Sequence, residues 1–107
     1  MDMKSHEISR VFIVQDLGNV NFVPAEDYGT LVVCIDSRVS HVGLSRAFSR
    51  LRERMRDITK NDWIVPTGNP ALIGLSCYLM AEKTGTIRLL VWDRQSNRYV
   101  PTEVKVA

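Results

Sequence analysis

The chain has 107 residues, 45% of them hydrophobic, and a formal net charge of +2. That is enough apolar material for the core of one domain, while no apolar run approaches the roughly 20 residues of a membrane span. The opening, Met1 to Arg10, is polar and lacks a secretory signal core, so a soluble cytoplasmic protein is expected, with no membrane partner.

Arg10 to Gln15 (Arg-Val-Phe-Ile-Val-Gln) is a short continuous apolar run, and Thr30 to Ile35 (Thr-Leu-Val-Val-Cys-Ile) is another. Such runs fit strands buried on both faces. Between them, Asp16-Leu17-Gly18-Asn19 has turn chemistry, and Pro24 to Gly29 has room for one short helical turn ending at glycine. Leu44, Ala47, Phe48, Leu51, Met55 and Ile58 then recur at helical spacing, with Ser40 or a neighbour as the cap. Most of the arginines lie outside that stripe. From Ser45 to Lys60, Arg46, Arg50, Arg52, Arg54, Arg56 and Lys60 stand against only Glu53 and Asp57. A face of this kind can meet phosphates or an acidic partner, and it is also the ordinary solvated side of a helix.

Trp63-Ile64-Val65 is a third strand that breaks at Pro66-Thr67-Gly68. Asn69 suits an N-cap, Pro70 the first helical position and Gly85 the stop. The helix between them, Ala71 to Lys83, is apolar around most of its circumference and is expected to be the most buried one. Thr86 to Trp92 is a fourth strand and Arg98 to Val106 a fifth, joined by the polar turn Asp93 to Asn97 as an antiparallel hairpin. Pro101 fits an edge position, where a missing N–H is tolerated. Cys34 and Cys77 have no metal-ligand spacing and read as buried thiols.

This order implies one α/β domain over residues 1–107: a small, doubly wound, mainly parallel five-stranded sheet of flavodoxin-like or Rossmann-like order 2-1-3-4-5, ending in an antiparallel hairpin. Covering Trp92, Tyr99 and that hairpin favours a two-fold homodimer. Ligands of open α/β sheets bind beyond the carboxyl ends of the strands, at the switch point, here between strands one and three. The candidate ligand-binding residues are therefore Asp16, Asn19, Arg38, Thr67, Gly68, Asn69 and Arg94. Thr67 and Asn69 have groups for phosphate or ribose oxygens, Gly68 permits close approach, and Arg38 supplies charge. The helix opening at Asn69 adds unpaired N–H groups and a positive dipole end, which favour phosphate or carboxylate. A well-capped turn alone selects the same residues.

No GxGxxG fingerprint, P-loop or nucleophile elbow occurs, so neither a cofactor nor a catalytic residue is assigned. His6 and His41 have no partner in a triad pattern. Asp16, Asp36 and Asp93 end strands and could in principle hold Mg²⁺, but they are also ordinary turn formers, and no metal site is assigned. Nucleic acid is disfavoured, since the basic helix lacks interleaved aromatics and a recognised binding motif. Trp63 and Trp92 flank the candidate loops and suit either a base stack or a core.

Three segments, Ala25-Glu26-Asp27-Tyr28-Gly29, Asp62 to Gly68 and Gly85 to Leu90 leading to Tyr99-Val100, give the chain a march that resembles a group of small bacteriophage proteins. The resemblance implies phage origin, an accessory role in the host cytoplasm and, at the level of class, sequestration of a host nucleotide signal. The leading expectation is a non-enzymatic binder of a phosphate-bearing nucleotide or nucleotide-derived signal. A metal-dependent nucleotide or phosphoester hydrolase using Asp16, Asp36 or Asp93, and an interaction module using the basic helix, are the alternatives.

Overall fold

Five strands form one sheet in the computed structural model, which describes residues 8–107. His6 lies outside the described residues. The strands are β1 (Arg10–Gln15), β2 (Thr30–Ile35), β3 (Trp63–Val65), β4 (Thr86–Asp93) and β5 (Arg98–Lys105), in the order β2-β1-β3-β4-β5. The first four run parallel and β5 returns antiparallel along β4. The α/β class, strand order and terminal hairpin therefore agree with the sequence. Phe12 at the centre of β1 stands opposite Val32 on one side and Ile64 on the other. Val11 to Val14 are wholly buried, because β1 is covered on both faces and flanked on both edges.

Alternation along β1 divides the core in two. Phe12 and Val14 join Leu51, Met55 and Ile58 from the region of α1 (Leu44–Arg54), and Leu72 and Met80 from α2 (Pro70–Thr84). Val11 and Ile13 face the other way, with Phe22, Ala25, Val65, Leu90 and Tyr99, beneath a 3-10 helix at Val23–Tyr28. Among the described residues two α-helices thus cover one face and a single short helix the other. The short helix ends at Gly29, whose φ of 155° carries the backbone against the Ser9 carbonyl; a Cβ there would lie 2.5 Å from that oxygen.

Two local expectations are corrected and one is borne out. Gly43, with no side-chain cap, precedes α1; Ser40 instead accepts from the Gly43 N–H at 3.2 Å, in the turn before the helix. Helix α2 is the most buried helix among the described residues, as expected: Leu72, Ser76 and Met80 are buried and Ile73, Leu75 and Leu79 half-buried, while Tyr78 is 56% exposed and donates to Glu82 at 3.0 Å. A sheet covers only one side of a helix laid on it, so residues on the outer side stay in water whatever their hydrophobicity. For the same reason Cys77, on α2, is half-buried, while Cys34 on β2 is buried.

The amino ends of the strands are tied by Asp62, which is 1% exposed. It accepts from the Arg10 backbone N–H at 2.8 Å and from the Arg10 guanidinium at 3.1 Å. The backbone N–H and the hydroxyl of Thr59 also donate to it, at 2.8 and 3.2 Å. Arg88 donates to the Asp62 carbonyl at 3.1 Å and its guanidinium carbon lies over Trp63, 3.7 Å from the ring centroid. A buried carboxylate is tolerated only when its oxygens are satisfied in this way.

Candidate functional site

Gln15 occupies the opposite end of the sheet, the point between β1 and β3 where the strand order reverses. Its side chain is buried and used at both ends: the carbonyl accepts from the Asn69 N–H at 2.7 Å and the amide donates to the Ser37 carbonyl at 2.7 Å. Thr67 closes the same junction by donating its hydroxyl to the Gln15 backbone carbonyl at 2.8 Å. Gly68, at φ 100°, is where the chain passes Gln15, and a Cβ at this position would collide with that side chain. Its freedom serves the packing of Gln15.

The opening of α2 is likewise engaged from within. Asn69 caps it by accepting from the Ala71 N–H at 2.8 Å, its own N–H is held by Gln15, and Pro70 has none to offer. Most of the donors that would attract an anion to this helix start are therefore already used. Gln15 was not among the sequence candidates; the available signal was a lone amide ending an otherwise apolar strand.

Beside this junction, on the face of the 3-10 helix, a cleft of about 650 Å³ opens at the carboxyl ends of β3 and β4. Val65, Leu90 and Tyr99 supply apolar lining, while Asn19, Asn21, Thr67, Arg94 and Asn97 supply polar groups from three loops. Trp92 also lines it, 40% exposed, and is braced edge-to-face by Tyr99 at a centroid separation of 4.9 Å. Burial pushes the Tyr99 phenol up, so it remains a neutral hydroxyl. A concave, mostly apolar site of this volume with a few polar groups is what small-ligand sites share.

The sequence candidates divide accordingly. Asn19, Thr67 and Arg94 line the cleft; Gly68 and Asn69 belong to the junction beside it. Asp16 turns back to accept from the Gly18 N–H at 2.8 Å, and Arg38 stands exposed on the loop after β2. The three aspartates are in separate settings. Asp36 lies 3.8 Å from Arg50, and Asp93 accepts from the Ser96 hydroxyl at 2.6 Å within its own turn. No group of three or more His, Cys, Asp or Glu residues is arranged to hold a metal among the described residues. Burial pushes the Cys34 thiol up to about 12, which suits a packed side chain. Trp63 sits in the sheet against Tyr28 and Arg88, whereas Trp92 faces the cleft.

No helix among the described residues is long and apolar enough to cross a membrane. No curated protein and no solved structure matches the chain. A family model described as Phage Pam3 gp32-like protein matches residues 9–106. That span takes in all five strands and the three segments that carry the phage resemblance, and the chain belongs to this phage protein family.

Proposed function

We propose that this protein binds, and thereby sequesters, a phosphate-bearing nucleotide or nucleotide-derived signal in the cytoplasm of the infected host. The observation that carries the reading is the pairing in one cleft of a half-exposed indole, Trp92, with a guanidinium, Arg94, two residues along the chain. A base stacks on an aromatic face whatever its sequence, and arginine matches phosphate geometry with paired donors. Asn19, Asn21 and Asn97 offer amides for base or ribose edges. In this reading the sheet is a reduced doubly wound, Rossmann-like fold whose ligand has moved off the switch point, because Gln15 fills it.

The test is a thermal-shift series of the full chain against mono-, di- and cyclic nucleotides, with and without Mg²⁺, followed by denaturation and identification of what is released. A binder is stabilised and returns its ligand intact; at a hundredfold excess over the dissociation constant the stabilisation is about 2.7 kcal/mol. Arg94→Gln should cut the shift to about half or less without lowering the melting temperature of the free protein, and Trp92→Ala should abolish it, with a lower melting temperature of the free protein from the lost Tyr99 contact. Conversion of the nucleotide would favour the hydrolase, and no shift across the panel would remove the nucleotide reading.

The interaction module is the second reading, supported by the exposure of Arg46, Arg50, Arg52, Arg54 and Arg56 along α1 and the turn that follows it. Capture of an acidic protein by wild-type chain, lost when these arginines are neutralised, would favour it.

A further inference from the structure

The sheet has two outer strands, and they are built differently. β5 carries Arg98, Glu103 and Lys105 and is interrupted by Pro101, features that discourage another strand from adding. β2 reads Thr-Leu-Val-Val-Cys-Ile, without charge or proline, and among the described residues no strand lies on its outer side. Leu31, Val32 and Val33 are only partly buried, although each packs against one of the two cores.

The Thr30 N–H donates to the Ser9 carbonyl at 3.1 Å, toward β1. Strand alternation then turns the backbone groups of Leu31 and Val33 outward. The two ends of this edge also differ in charge. Glu26 and Asp27 are exposed just before the amino end. Arg38 follows the carboxyl end, exposed, and the charge of Asp36 beside it is offset by Arg50 of α1 at 3.8 Å.

The geometry points to a two-fold dimer in which β2 pairs antiparallel with β2 of a second copy, joining the two sheets edge to edge. An axis through Val32 sets Leu31 of each copy opposite Val33 of the other. Both outward-facing residues then exchange their N–H and C=O bonds across the interface. In this register Glu26 of one copy stands level with Arg38 of the other, on both sides of the axis. A parallel partner would set like end against like end. The complementarity lies between the two ends of one strand, which is the condition for an isologous contact and the reason for choosing a second copy over an unrelated peptide.

Sedimentation of the full chain from low to high micromolar concentration tests this. Wild type should reach the dimer mass. Val33→Pro, which removes an N–H that the monomer does not use, should remain monomeric with an unchanged circular dichroism spectrum. Glu26→Lys and Arg38→Glu should each weaken the dimer about tenfold, and the double variant should recover it, because each reversed charge then meets the other across the axis. If Val33→Pro does not fold, the charge reversals decide. A wild type that stays monomeric throughout, or a dimer that neither the proline nor the reversals weaken, overturns the proposal.

Discussion

Asp62 joins three parts of the chain: its carboxylate holds Arg10 on β1 and Thr59 in the preceding turn, and its backbone carbonyl accepts from Arg88 on β4. Asp62→Ala leaves the half-buried Arg10 backbone N–H without its acceptor and removes the buried carboxylate's bonds to the Arg10 guanidinium and Thr59, so a loss of about 3 kcal/mol is expected in urea unfolding. Asp57 is a milder case. A hydrogen bond from Arg10 at 3.0 Å holds its carboxyl below the ordinary value. A carboxylate depressed in the folded state contributes stability above its unfolded pKa, and that contribution is lost as pH falls through the folded value. Acid unfolding below about pH 4 should therefore be less steep in Asp57→Asn than in wild type, with the two curves parallel at neutral pH. Asp57 is largely exposed, so solvent screening keeps this difference small.

At the scale of elements, α2 shows how local signals and packing divide the work. Its limits were readable: Asn69 caps, Pro70 opens, and the Gly85 N–H returns to the Ala81 carbonyl at 2.8 Å. Asn69→Ala should lower stability by about 1 kcal/mol, measured by chemical denaturation, since only the cap bond to Ala71 is removed while the backbone bond to Gln15 persists. Its apolar circumference marked it as the most buried helix, but which of its residues stay in water was not readable, because a circumference states how much of a helix can be covered and says nothing about how much the neighbours cover. The β4–β5 hairpin has the same character. Its turn and Pro101 on the edge were visible in composition, but Tyr99, expected to need a dimer partner, is 4% exposed and sits in the core beneath the 3-10 helix.

For the whole molecule, the sheet separates two charged regions. The cleft with Arg94 lies on the face of the 3-10 helix, and the arginines of α1 belong to the helix layer on the opposite face. Salt screens exposed charges beyond about 10 Å, so the α1 arginines act on a cleft ligand only at long range. Neutralising Arg46, Arg50 and Arg54 together should leave nucleotide affinity within about threefold at physiological salt. Arg94→Gln alone should reduce it by tenfold or more, roughly 1.4 kcal/mol. Equilibrium titration at two salt concentrations distinguishes these outcomes. A larger loss from the triple neutralisation would move the binding surface to α1.

Strand identity, strand order, the limits of α2 and phage family could all be read from the chain, because each rests on short-range causes: apolar runs of strand length, turn residues between them, and the cap and stop residues beside that helix. The candidate site was only half legible. Thr67 and Arg94 could be placed at strand ends and Asn19 in a neighbouring loop, and all three line the cleft. Gly68 and Asn69 instead close on Gln15, 53 and 54 residues earlier in the chain, a partner that no local pattern names. The sequence by itself determined which residues reach the carboxyl end of the sheet, since strand length and turn chemistry are local. The tertiary structure decided which of their donors remain for a ligand, since a hydrogen bond is available only after every distant side chain that can take it has been brought into place.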